Sequence, residues 1–261
     1  MKFCSLSSSS SGNCEYVEYN NTKILIDAGK SGKQIEQLLD SIDVDIKDID
    51  AIFLTHEHLD HVKGAGVLSR RHNLKVFTTQ KTYQAMLKIT KDIKSENLYF
   101  FENDRSFTFK DLHIEPIKSF HDCVDGSCYN IIGDKKISIV TDTGIVDQNL
   151  LEKMKDSDLY YIEANHDKDM LVNGLYPWPT KQRIMSNFGH LSNDNAAEIL
   201  KKLLNKKNEI VMLAHLSKDN NDPKLAARTI RDSLDENNIK EGIDYIMEVS
   251  PKDATSKMYE L

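Results

Sequence analysis

Short apolar runs alternate along most of the chain with stretches whose apolar residues recur at helical spacing. Residues 23–26 read as a strand, and Ile35, Leu38, Leu39 and Ile42 then follow an i, i+3, i+4, i+7 pattern. Residues 51–54 form a buried strand, a helical run extends from near Leu59 to about His72, and strand 75–78 precedes a helix over 82–89. The middle changes character. Segments 98–101, 106–109, 113–117, 129–132 and 137–140 are short, β-rich and separated by turn residues, which predicts a meander. Alternation then resumes with a helix near 149–155, a strand at 159–162 and a long loop from 165 to about 180. Asn193 is placed to cap a helix carrying Ala196, Ala197, Leu200, Leu203 and Leu204, and residues 210–214 are wholly apolar. Asp222 followed by Pro223 signals a cap and first turn for a helix to about 235, and 245–249 is a last strand. The pattern predicts a layered α/β protein.

Composition narrows the class without changing that picture. With 39% hydrophobic and 29% charged residues, 11 Gly and 5 Pro, the chain is neither disordered nor fibrous. Its length suits one enzyme-sized domain over residues 1–261. Cys4, Cys14, Cys123 and Cys128 lack the CxxC spacing of a zinc ribbon, and reduced thiols in a cytoplasmic protein are expected. The serine run 7–11 stands where a secretory segment would need an apolar stretch, and no 18-residue apolar span suggests a membrane partner. The net charge of −7 argues against a surface coated for non-specific nucleic-acid binding but leaves room for a local basic strip.

The chemistry concentrates after the strand at 51–54. Thr55-His56-Glu57-His58-Leu59-Asp60-His61 places three imidazoles and a carboxylate within six positions, a ligand set suited to zinc, iron or manganese and sufficient to begin a two-ion site. Further ligands are expected where other strands end on the same sheet edge. His121, Asp142 and His215 each follow a strand-like run. Singly, each has a plainer reading, since a Thr-Asp-Thr-Gly turn is commonly only a turn and a lone histidine more often packs than ligates. Their shared position favours a common site.

Asp27-Ala28-Gly29 after a strand, then His56, His58, Asp60, His61, His121, Asp142 and His215 in that order, resemble the successive motifs of the metallo-β-lactamase superfamily. The resemblance spans nearly the whole chain and implies a four-layer αββα sandwich holding two divalent metal ions, zinc or manganese. It implies that His56, His58 and His121 hold one ion, that Asp60, His61 and His215 hold the other, and that Asp142 bridges them. Gly189-His190-Leu191-Ser192 and Ala214-His215-Leu216-Ser217 resemble paired motifs of the tRNase Z group, which implies that His190 is a catalytic acid. The plainer alternative makes His190 a loop residue before a helix cap.

The serine-rich opening, Glu163-Ala164-Asn165-His166-Asp167, the stretch from Arg183 to Asn193 and His215 to Asn221 are similar to the small single-domain YycJ (WalJ) nuclease group, although Cys123 stands where that group would have alanine. The interval between Asp142 and His215 is too short for an inserted β-CASP domain. A glyoxalase II-type thioester hydrolase would carry a helical carboxyl-terminal domain, whereas the residues after His215 read as one helix and one strand.

The resemblance therefore implies a metal-dependent phosphodiester hydrolase, a 5′-to-3′ DNA exonuclease acting through a metal-bridging hydroxide, with Asp60 and His190 catalytic. A small-molecule cyclic phosphodiesterase is the alternative. A nucleic-acid partner gives the long loop a role: Tyr176 and Trp178 are candidates for base stacking, and Lys181 and Arg183 for phosphate contact. Trp178, flanked by Pro177 and Pro179, alternatively pins the loop to the core. Ser217 and Asn221 are candidate phosphate donors or, equally, satisfy local backbone.

Overall fold

The computed structural model describes residues 1–261. In chain order its elements are β1 (Lys2–Ser7), β2 (Cys14–Tyr19), β3 (Thr22–Ile26), α1 (Gly32–Asp40), β4 (Ala51–Phe53), α2 (Leu59–Val62), α3 (Ala65–His72), β5 (Lys75–Thr78), α4 (Gln80–Thr90), β6 (Leu98–Phe100), β7 (Phe107–Phe109), β8 (Leu112–Lys118) and β9 (Ser127–Ile132). They continue with β10 (Lys136–Val140), α5 (Gln148–Met154), β11 (Leu159–Glu163), α6 (Lys168–Asn173), α7 (Trp178–Ile184), α8 (Asn193–Leu203), β12 (Glu209–Ala214), α9 (Pro223–Asp235), β13 (Tyr245–Val249) and β14 (Tyr259–Glu260). The chain divides into two compact units, one of residues 1–118, 123–134 and 250–261, the other of residues 119–122 and 135–249. No helix is long and apolar enough to cross a membrane.

In the first unit a mixed sheet runs β14-β1-β2-β3-β4-β5-β6, antiparallel from β14 to β3 and parallel from β3 to β6. All three residues of β4 are fully buried, as expected of a parallel strand covered on both faces. Ser31 starts α1 through a reciprocal capping box with Gln34, and the helix buries Ile35 and Leu39. Strands β7, β8 and β9 form an antiparallel meander whose Phe109 and Tyr129 meet Phe53 edge-on at 5.6 and 6.2 Å.

In the second unit β10, β11, β12 and β13 are parallel neighbours, with near-continuous apolar sequence and helical crossovers between them. Asp222 accepts from the amides of Lys224 and Leu225 and Pro223 occupies the first turn, so α9 begins and ends where its sequence signals place it.

Four local expectations are revised, and the opening gains an element that the hydrophobic pattern did not mark. The serine-rich opening contains the buried strand β1, followed by a turn in which the Ser7 hydroxyl donates to the carbonyls of Gly12 and Lys252. The helical run after Leu59 breaks at Gly64 because its amide donates to Ala28 O, while the Asp60 carbonyl that would continue the ladder accepts from Asn13. Strand β6 pairs in parallel with β5 through the α4 crossover and is not part of the meander. The cap of α8 is Ser192, one residue earlier than expected, its hydroxyl accepting from Asn195 N. The long loop contains α6, capped by Asp167, and α7, opened by the Pro-Trp-Pro sequence.

Candidate metal centre and its supporting carboxylates

In the first unit the histidine-rich motif begins where β4 ends. Asp27, just past β3, is 1% exposed with a left-handed φ of 60°, a conformation that aspartate tolerates better than most residues. Its Oδ1 accepts from Thr55 N at 2.8 Å, and its Oδ2 accepts from Thr55 Oγ1 at 2.7 Å and lies 2.6 Å from His61 Nδ1. Burial pushes the Asp27 carboxyl up while the His61 imidazole pulls against it. His56 Nδ1 lies 3.0 Å from Thr55 Oγ1, so one aspartate and one threonine fix two imidazoles. The His56 ring stands 4.5 Å from that of His58 and 4.1 Å from that of His61. Asp60 Oδ2 is 3.6 Å from His61 Nε2, and Asn13 Nδ2 approaches the same nitrogen at 3.0 Å. Gly29 makes this docking possible, because a Cβ there would lie 1.7 Å from Asp60 O.

The second unit builds its share around Glu163, the fully buried last residue of β11. Its Oε1 lies 2.7 Å from His190 Nδ1 and 2.9 Å from His215 Nδ1, and its Oε2 accepts from the amides of Leu191 and Thr143 at 3.1 and 3.2 Å. Burial alone would raise this carboxyl, but the two imidazoles more than offset it and hold Glu163 well below the usual carboxylate range. Asp142 and His215, immediately past β10 and β12, have left-handed φ values of 53° and 54°. Aspartate and histidine are among the non-glycine residues that tolerate that conformation. Asp142 Oδ1 lies 3.2 Å from His215 Nδ1 and 3.7 Å from both His121 Nε2 and His190 Nδ1. His121 Nδ1 is 3.0 Å from the carbonyl of Gly189. Asp142, Glu163, His190 and His215 offer atoms within 4.8 Å of one another, as ligation of a cation requires.

The substrate candidates fare differently. Lys181 is buried, with its ammonium donating to Val172 O and Gly174 O at 2.7 Å each; it closes the α6–α7 turn, and these carbonyls occupy the ammonium expected to meet a phosphate. Asn221 is buried too, its amide donating to Ala164 O, Asn165 O and Asn193 Oδ1, which is the backbone-satisfying alternative and not the phosphate-donor one. Trp178 is 56% exposed and does not pin the loop to the core. Arg183 is exposed and pairs through Nε with Asp122, Tyr176 donates to Asp219, and Ser217 Oγ accepts from Asn220 N. The structure also brings in supporting residues that motif reading did not single out, namely Asn13, Thr55 and the ring-orienting role of Glu163. The available signal for Glu163 was a carboxylate closing the strand Leu159–Glu163, whose other residues are apolar.

His166, 2% exposed, has its imidazole pulled by burial down to about 4. An unfolded histidine titrates near 6.5, so between those values the unfolded chain binds the extra proton and stability rises as pH rises. In chelator-treated protein this contribution is complete above about pH 6.5 and is lost by about pH 4, amounting to about 3 kcal/mol at most. Urea unfolding from pH 4.5 to 7.5 should show the slope, and His166→Gln should reduce it.

Comparison with known proteins places this arrangement. The family model described as a β-lactamase superfamily domain matches residues 22–216. Exodeoxyribonuclease WalJ of Streptococcus pneumoniae serotype 2 (strain D39 / NCTC 7466) is 40% identical over 258 residues, covering 97% of this chain and 96% of that protein. The chain belongs to the metallo-β-lactamase superfamily. Exodeoxyribonuclease YycJ of Bacillus anthracis is 35% identical over 261 residues, 99% of each chain. The metallo-β-lactamase fold protein YhfI from Bacillus subtilis superposes with a TM-score of 0.71 at 15% identity, covering 98% of each chain. The fold is thus the α/β metallo-β-lactamase fold, with two mixed sheets and flanking helices, and the chain is an enzyme of that hydrolase superfamily, whose members bind divalent metal.

Proposed function

We propose that this chain is a cytoplasmic DNA exonuclease, a single metallo-β-lactamase domain without a β-CASP insertion, that hydrolyses phosphodiesters from the 5′ end with two divalent ions. The observation that carries the reading is the near-full-length similarity to two proteins named exodeoxyribonucleases. In this reading His56, His58 and His121 hold one ion, Asp60, His61 and His215 hold the other, and Asp142 bridges them; zinc and manganese both suit the donors. The donor set fits such ions. The Nδ1 atoms of His56, His61, His121 and His215 each lie against Thr55, Asp27, the Gly189 carbonyl or Glu163, so Nε2 of each ring is the nitrogen that would ligate a bound cation, with Asn13 Nδ2 beside that of His61.

Bound ions would acidify water and neutralise charge developing on the phosphate. The chain supplies the rest. His190 holds a proton at Nε2 for the departing oxygen, and Glu163 at Nδ1 fixes the ring and stabilises its charged form. Asp60 orients the attacking water as well as ligating. Exposed Trp178 and Arg183 and half-buried Ser217 contact the nucleic acid.

Labelled single- and double-stranded DNA and RNA, incubated with the zinc and manganese forms, tests the reading. Metal-dependent release of nucleotides from the DNA 5′ end is expected. Cleavage of cyclic phosphodiesters with every strand left intact would overturn it. His190→Ala should retain both ions by elemental analysis and lose about a hundredfold to ten-thousandfold in kcat.

A further inference from the structure

Outside the histidine cluster, the second unit exposes an aromatic pair that the chemistry above does not use. Phe188 is 57% exposed and its ring stands 6.5 Å from that of half-buried Phe120, tilted by 48°. Phe120 immediately precedes His121, and Phe188 is separated from His190 only by Gly189. The two segments are also joined by His121 Nδ1 on the Gly189 carbonyl, and the rings of His121 and His190 are 4.9 Å apart. The aromatic pair therefore borders the residue that the proposed reaction needs at the leaving oxygen.

This placement is rigidly built. Gly189 N donates to Ser186 O and His190 N to Ile184 O, folding residues 186–190 back onto the end of α7. A Cβ on Gly189 would lie 2.1 Å from Ile184 O, so the turn tolerates only glycine. Gly144 permits a second close approach, since a Cβ there would lie 2.3 Å from Ser186 O, and its amide donates to Phe120 O at 2.8 Å. An exposed phenyl ring gains little by facing water, yet this one is held on a pinned turn over a second ring. A preorganised, sequence-indifferent π-surface is what an unstacked nucleobase requires.

We propose that Phe188, backed by Phe120, is the stacking platform for the base of the terminal nucleotide whose phosphodiester is cut. This rests on the DNA exonuclease reading and adds how the strand end is held. A base needs only a flat apolar face, so the platform accepts all four bases and responds to the presence of a base more than to its identity.

The test compares two oligonucleotides, ending in thymidine or in an abasic nucleotide, with wild type, Phe188→Ala and Phe188→Trp. In metal-free protein, fluorescence anisotropy should show wild type binding the thymidine end about tenfold more tightly, Phe188→Trp keeping that ratio and Phe188→Ala losing it. With metal, kcat/KM should follow the same ratios. Binding discrimination that disappears in Phe188→Ala supports the platform even if no strand is cut, in which case only the nuclease reading falls. Cleavage with equal discrimination by wild type and Phe188→Ala, or with none by wild type, overturns the platform and leaves the aromatic patch to a protein partner. Circular dichroism and thermal melting of Phe188→Ala should match wild type because the ring covers no core.

Discussion

Glu163→Gln is expected to lower kcat by about a thousandfold or more and to weaken metal binding at the same time, because one carboxylate holds two rings with different tasks. The amide cannot satisfy the four groups that now surround the side chain. If its oxygen replaces Oε1 against His190 and His215, its NH2 faces the amides of Leu191 and Thr143, placing donor against donor in a fully buried site. If the NH2 faces the imidazoles, each Nδ1 must become an acceptor and the proton moves to Nε2, where His215 can no longer ligate and His190 loses support for its charged form. Either arrangement damages both functions. His190→Ala, by contrast, removes the acid alone, so elemental analysis beside single-turnover rates separates the two variants. Wild-type kcat with two retained ions in Glu163→Gln would refute the clamp. Full activity in Glu163→Gln beside a loss in Glu163→Asp, which keeps the charge but shortens the side chain, would place Glu163 in a packing role only.

The legibility of the site in sequence follows from the same geometry. Ligand candidates were visible because the histidine-rich motif is compact and His121, Asp142 and His215 all follow strand-like runs, whose ends gather in a layered α/β protein. The cap at Asp222 and the first turn at Pro223 act locally, so local sequence suffices to place them. What sequence hid depends on partners distant along the chain. Glu163 stands in a family-like segment without a role of its own until His190 and His215 meet it, 27 and 52 residues away. Lys181 reads as a cation for phosphate until the carbonyls of Val172 and Gly174 close around it. The break at Gly64 follows from Asn13 capturing the Asp60 carbonyl, a competition that no hydrophobic period encodes. Strand β6 is aromatic and short enough to suit a meander, and the buried β5 edge decides its parallel pairing.

Asp142 carries an expected loss of the same order as that of Glu163. Its carboxylate is 3% exposed, with one oxygen within 3.7 Å of nitrogens from His121, His190 and His215. As the proposed bridge it is the negative group shared by two cations, and in a site this dry their mutual repulsion is only weakly screened. Asp142→Ala should therefore retain at most about one ion and lose about three orders of magnitude or more in turnover. Alanine also strains a backbone held at φ 53°, so Asp142→Asn is the sharper variant. Asparagine tolerates the left-handed conformation and keeps the shape, leaving charge as the main difference. If charge is decisive, Asp142→Asn should be nearly as inactive as Asp142→Ala, with its melting temperature less sensitive to chelator than that of wild type because fewer ions stabilise the folded state. Two tightly held ions and substantial activity in Asp142→Asn would move the bridging role elsewhere, and the second unit's remaining buried carboxylate in the cluster, Glu163, would be the residue to examine.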